Sequence, residues 1–140
     1  SCVTDGFMII ARIESLILCK GLADALDRAK AYIAAGADGI MIHSKSGDDQ
    51  EIISFIRKFR EDFNSIPLVV VPSTFPKKLF EEWKELGVNI VIYANHMIRS
   101  AVPAMQHAAS SILENGRSLE LAPGIMSVNQ LLKTIPGNYD

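Results

Sequence analysis

The chain has 140 residues and a mass of 15.3 kDa, enough for one ordinary domain with a real core. A formal charge of -2, a pI near 5.9 and no Lys/Arg cluster argue against a nucleic-acid partner. The longest apolar runs, PLVVVP and FMIIA, are strand-sized and far short of the roughly 20 residues of a membrane span, so no membrane partner is expected.

The amino terminus, Ser1-Cys2-Val3-Thr4-Asp5, lacks the basic n-region of a signal peptide. Cys2 and Cys19 have neither metal-ligand spacing nor the company that a disulfide framework requires. A reduced, cytoplasmic protein with ordinary thiols is expected. The chain starts at Ser1 and enters a strand almost at once, which fits a fragment or processed piece, although removal of an initiator Met before Ser gives the same start.

Four short apolar runs follow one another: FMIIAR (7–12), GIMIH (39–43), PLVVVP (67–72) and NIVIYAN (89–95). They are β-branched-rich and continuously apolar, as strands are when a parallel sheet is covered on both faces by helices. Between the first two, GLADALDRAKAYIAAG repeats Leu22, Leu26, Ala29 and Ile33 at helical spacing, and Gly36 suits a left-handed cap. Next, DDQEIISFIRKFREDF places Ile52, Ile56, Phe59 and Phe63 on one helical face, behind an Asp48-Asp49 start that complements the helix dipole. PKKLFEEWKELG predicts a helix opening at Pro76, stacking Leu79, Trp83 and Leu86 and ending at Gly87. A fourth helix is expected from about Ile98 to Glu114, kinked at Pro103 or beginning near it. Beyond Gly116-Arg117, SVNQLLKTI (127–135) reads as a short amphipathic helix capped by Ser127, and the terminal PGNYD as a frayed end.

AGADGIMI and LGVNIVIY repeat one phrase: helix end, Gly, polar turn, buried strand. Four βα units joined in this way predict a parallel α/β arrangement with right-handed crossovers. Such units close either as a small flavodoxin-like sheet or as half of a (β/α)₈ barrel, which needs about 250 residues. Both architectures bind ligands at the carboxyl ends of the strands. No Gly-rich phosphate loop of the GxGxxG or GxxxxGK[ST] type is present.

Polar residues collect at those ends: Arg12 and Glu14, His43 and Ser44, Ser73 and Thr74, Asn95 and His96. Arg offers a planar, permanently charged fork for carboxylate or phosphoryl oxygens. A neighbouring His donates a hydrogen bond to the same anion or moves a proton. An anionic small-molecule site is therefore expected. The plainer alternatives are specific. Arg12 and Glu14, two apart on one strand face, can simply pair, and His43 can bond a backbone carbonyl in the core. Lys45, Ser46, Asp48 and Asp49 suit a solvated loop and helix start, and Ser73 and Thr74 suit a turn before Pro76. His96 and Arg99 suit the first turn of the fourth helix, and His107 a surface or core position.

The runs ARIESLI, GLADALDRAKAYIAAGADGIMIHSK, PLVVVPS and NIVIYANHMIRS resemble the phosphoenolpyruvate mutase branch of the isocitrate lyase/phosphoenolpyruvate mutase superfamily. The resemblance begins near Phe7 and covers essentially the rest of the chain. Lyases of the superfamily share the GL…A…RA…Y…AGAD phrase but typically end their second strand in a carboxylate, where this chain has His43-Ser44. That difference favours phosphonyl or phosphoryl chemistry.

The resemblance implies the second half of a (β/α)₈ TIM-type barrel (1–116), followed by a polar linker and a C-terminal helix (117–140) that is often exchanged between subunits. It implies Mg²⁺ dependence and interconversion of phosphoenolpyruvate and phosphonopyruvate, the carbon–phosphorus bond-forming entry to phosphonate biosynthesis. Arg12 and His43 match the family residues that contact the transferring phosphoryl group. Glu14 and Asn95 match family-typical positions without a definite step, and Ser44 is a weaker substrate-side candidate. The family's metal-binding aspartates, phosphoryl-accepting aspartate and gating loop belong to the first four βα units, so no metal ligand is expected in this chain. The 140 residues are expected to be inactive alone and to associate as dimers or tetramers, open sheet edges adding to that tendency. Phosphonopyruvate hydrolase, a carboxylate lyase and a non-catalytic half-barrel assembly module are the alternatives.

Overall fold

A computed structural model describes residues 6–135, so Cys2 and the expected frayed end at PGNYD lie outside the described residues. The chain divides into two compact units, one ending at Ala94 and the other beginning at Asn95.

The first unit alternates strand and helix. It runs β1 (Ile10–Ile13), α1 (Gly21–Ala34), β2 (Gly39–Ile42), α2 (Gln50–Asp62), β3 (Leu68–Val70), α3 (Phe80–Glu85) and β4 (Ile90–Val91). All neighbouring strands pair in parallel, in the spatial order β1-β2-β3-β4. The register aligns Ile13 with Ile42, Ile40 with Leu68, and Ile42 with Val70. These residues share a sheet face and form the core with Ala25 and Ala29 of α1 and Ile52, Phe55, Ile56 and Phe59 of α2. The other face carries Ile10, Arg12, Met41, Val69 and Ile90 by the same alternation, and Ile90 is exposed.

Strand limits are shorter than the apolar runs. Before β1, Ile9 is tied to the turn that opens β2: its N–H donates to Asp38 Oδ2 at 2.7 Å and its carbonyl accepts from Asp38 N at 2.9 Å. Gly36, at φ +97°, makes the left-handed exit from α1 that the sequence predicts. Asp48 Oδ1 accepts from Gln50 N at 2.9 Å, so the acidic pair does open α2. α3 is the main correction. Pro76 does not open it; the helix begins at Phe80, where the Glu82 carboxylate accepts from Leu79 N at 2.7 Å. Leu79 consequently lies outside the helix and exposed, while Trp83 is fully buried and Leu86 packs against the core.

The second unit comprises α4 (His96–Asn115), a 3₁₀ turn over Leu119–Gly124 that packs on α4, and α5 (Val128–Lys133). α4 begins well before Pro103 and continues through it, giving up the one N–H that the proline lacks. Ser127 caps α5 as predicted, accepting from Gln130 N at 3.2 Å, while the Gln130 side chain accepts from Ser127 N at 3.0 Å.

Candidate active site

Strand alternation decides which polar residues meet. Arg12 lies on the open face of β1, and Glu14, two residues on, lies on the same side just past the strand end. Arg12 is in register with Met41, which places His43, two residues past Met41, beside Glu14. The structure brings these three together. Arg12 Nε donates to Glu14 Oε1, and Arg12 Nη2 donates to His43 Nδ1 at 2.6 Å. Glu14 Oε2 lies 3.7 Å from His43 Nδ1, beyond hydrogen-bond range.

The pairing of Arg12 with Glu14 is thus real, yet it does not exhaust the guanidinium. The Arg12 side chain remains 50% exposed, and no hydrogen bond engages its Nη1 among the described residues. His43 is more enclosed, at 24% exposure. Its Nδ1 faces a cation that can only donate, so this nitrogen is placed to accept. The cluster offers an anion a fork of N–H donors and an imidazole, at the carboxyl ends of two adjacent parallel strands.

The other predicted residues are placed differently. Ser44 is fully buried: its hydroxyl donates to Glu51 in the first turn of α2 and accepts from Ser46 N at 2.9 Å. Thr74 Oγ1 donates to the Ser44 carbonyl at 3.3 Å, joining the ends of β2 and β3. Ser73 Oγ is buried without a hydrogen-bond partner among the described residues. Lys45 is an exposed loop residue. Asn95 opens the second unit, exposed, with φ +54° and its carbonyl accepting from Arg99 N at 2.9 Å.

A supporting cluster escaped the sequence reading. Ser15, 2% exposed, donates to Asp24 Oδ2 at 2.5 Å, and Arg28 Nε donates to the same oxygen at 2.8 Å. The hydrogen bond from Arg28, then that from Ser15, holds the Asp24 carboxyl below its ordinary value, and the Arg28 guanidinium is raised in turn. These residues and Tyr32 line a cleft of about 160 Å³ that continues to Arg12 and Glu14, so the loop after β1 is moored to α1. The i,i+4 spacing of Asp24 and Arg28 was a visible signal; the reach of Ser15 was not.

The phosphoenolpyruvate phosphomutase sequence model matches residues 2–113. The chain belongs to the phosphoenolpyruvate phosphomutase family. It is 38% identical over 130 residues to a phosphoenolpyruvate phosphomutase of Tetrahymena pyriformis, spanning 91% of this chain and 41% of that protein. It is 37% identical over 128 residues to a phosphonopyruvate hydrolase of Variovorax, covering 91% and 43%. A solved phosphoenolpyruvate phosphomutase from Streptomyces platensis subsp. rosaceus superposes with a TM-score of 0.87 at 36% identity, covering 94% of this chain and 45% of that one. A phosphonopyruvate hydrolase in complex with oxalate and Mg²⁺ gives 0.85 at 36%, covering 94% and 46%. The chain thus spans under half the length of these relatives, and its four parallel units are half of the family's (β/α)₈ barrel.

Barrels of parallel strands bind ligands where the strands end, and there the donor set of this half does not suit Mg²⁺. That ion takes hard oxygen ligands in a tight octahedron. Glu14, the carboxylate beside His43, is already ion-paired with Arg12. No group of three or more His, Cys, Asp or Glu close enough for a metal occurs among the described residues.

Proposed function

We propose that this chain is the phosphoryl-gripping half of a phosphoenolpyruvate mutase-type enzyme that interconverts phosphoenolpyruvate and phosphonopyruvate. The observation that supports this reading is the 2.6 Å contact between Arg12 Nη2 and His43 Nδ1 across adjacent strand ends. In the mutase reaction the phosphoryl group leaves the enol oxygen and bonds to the methylene carbon of the same substrate. Charge spreads over the phosphoryl oxygens while both bonds are weak. Fixed donors already aimed at those oxygens stabilise that state without reorganising. The free Nη1 edge of Arg12 supplies charge-assisted hydrogen bonds, and His43 Nε2–H supplies a second donor. Arg12 and His43 are the proposed catalytic contacts, with Glu14 behind them and Asn95 and Ser44 as lesser substrate-side positions.

In this reading residues 1–116 form the second half of the barrel and residues 117–140 a C-terminal segment exchanged between subunits of a cytoplasmic dimer or tetramer. Mg²⁺ ligands and the phosphoryl acceptor come from the complementary half, so the 140 residues alone do not turn over. The test is phosphorus NMR of the parent protein with phosphonopyruvate and Mg²⁺. Appearance of phosphoenolpyruvate supports the mutase. Free phosphate with pyruvate instead establishes the hydrolase, a second reading that the 37% identity to the Variovorax enzyme keeps in view. Turnover by the 140-residue chain alone would overturn the division of labour.

A further inference from the structure

We propose that Glu14 is the positioning residue of this site: by holding Arg12 at Nε it aims Arg12 Nη2 at His43 and fixes that imidazole as its Nε2–H tautomer. The inference deepens the reading above and rests on it for its functional meaning, but the geometry stands on its own.

Arg12 is an exposed, flexible side chain on a short strand, and nothing in β1 itself fixes its fork. Glu14 takes the Nε–H. A guanidinium is planar, so fixing Nε orients both terminal nitrogens at once. One of them, Nη2, then lies 2.6 Å from His43 Nδ1. A proton on Nδ1 would set N–H against N–H, and the carboxylate oxygen that could receive it, Glu14 Oε2, is 3.7 Å away. The Nε2–H form satisfies all three side chains together.

Direct contact between Glu14 and an anionic ligand is a poor alternative. A carboxylate next to phosphoryl oxygens repels them, whereas one tied behind the guanidinium does not have to touch them. The arrangement leaves the Arg12 Nη1 edge and His43 Nε2–H as the outward-facing donors. Glu14 thus acts through Arg12 and His43, and its contribution is orientation.

The test uses the 140-residue chain and does not depend on activity. Long-range proton–nitrogen NMR, at about pH 8 where an ordinary imidazole is neutral, reads the two ring nitrogens of His43, assigned with His43→Gln. The expected wild-type pattern is an unprotonated Nδ1, a protonated Nε2 and a resolved Arg12 Nε–H. Glu14→Ala should speed solvent exchange of that Nε–H by about two- to fivefold, the range for loss of one exposed ion pair. It should also move the Nδ1 signal toward that of a free histidine. Glu14→Gln, whose amide oxygen still accepts from Nε, should restore both signals. Arg12→Lys, which removes the fork and keeps the charge, should lose the Nδ1 signature with Glu14 intact, and it decides the matter if Glu14→Ala does not fold. A proton found on Nδ1 in the wild type, or unchanged signals in Glu14→Ala or Arg12→Lys, overturns the proposal. Failure of the functional reading has a different signature: phosphonopyruvate added to the wild type leaves Arg12 and His43 unshifted while the apo pattern persists.

Discussion

Replacing Arg60 by Met should destabilise the first unit by about 3 kcal/mol, because one guanidinium there closes two connections at once. Arg60 lies near the end of α2, and its Nε and Nη2 donate to the Gly87 carbonyl at 3.0 and 2.6 Å. Nη1 donates to the carbonyls of Phe63 at 2.6 Å and Ile66 at 2.8 Å, and Nη2 also donates to Asn89 Oδ1 at 2.9 Å. Asn89 Oδ1 accepts from Leu68 N as well, at 2.9 Å, so the same network ties the starts of β3 and β4. Met keeps much of the apolar stem and removes only the charged fork. A hydrogen bond to a charged group contributes about 1.5–3 kcal/mol, and partial exposure reduces that to roughly 0.75 for each of the four acceptors. Burial lowers the Arg60 guanidinium from its usual value, yet an arginine stays charged throughout the working range, so the effect should be independent of pH. With a urea slope of about 2 kcal/mol/M, the midpoint should fall by roughly 1.5 M. Arg60→Lys should recover little of it, since one ammonium cannot span the acceptors. A midpoint shift under about 0.3 M at unchanged slope would refute the reasoning.

Gly39→Ala should cost about 1–3 kcal/mol by thermal melting, because the added Cβ meets Ile10 Cδ1 at 2.5 Å and the Pro67 carbonyl oxygen at 2.9 Å. The flexible Ile10 side chain can yield; the backbone oxygen beside β2 cannot without shifting the strand. Asp24 has a carboxyl held below its ordinary value of 3.8, so its contribution is full above that pH and disappears as pH falls through the lower folded value. Melting curves between about pH 2 and 5 should therefore show a shallower acid limb in Asp24→Asn than in the wild type. Trp83 is fully buried, and its Nε1–H has no hydrogen-bond partner among the described residues. Trp83→Phe should then cost only about 1 kcal/mol in a urea titration, against about 3–5 for Trp83→Ala; equal losses would mean the indole N–H is bonded after all.

Apolar run length and helical spacing made the alternation of strands and helices readable, since a strand covered on both faces has little room for polar residues. The ends were less readable, because turn hydrogen bonds compete with the ladder. Ile9 is apolar enough for β1, but Asp38 claims its backbone. α3 shows the same competition: Pro76 is a good first helical residue, yet the first helical turn forms where Glu82 can reach back to Leu79 N. At the site, Arg12, Glu14 and His43 were legible because alternation puts them on one face. The same rule places Ser44 differently. One residue past His43 it points to the helix side, where Glu51 binds its hydroxyl. Arg60 and Ser15 were not legible, since their partners are backbone carbonyls and a helix residue that come near only after folding.

On the proposed reading, the open face of the sheet leaves the phosphoryl grip dependent on the other half of the barrel. The rest of this face is apolar: Met41, Val69 and Ile90 lie in register with Arg12 across the four strands, and Ile10 lies two residues before Arg12 on β1. Ile90 is 45% exposed here, and Arg12 is half exposed. In a closed barrel that face is the interior, and water leaves it. Two charges 4 Å apart attract with about 1 kcal/mol in water and about 4 kcal/mol at the effective dielectric of a protein site. An anion on the Arg12 fork should therefore be held weakly in the open half and strongly once the face is covered. On that reading, strand parity sets the orientation of the proposed donors, and barrel closure should set their strength.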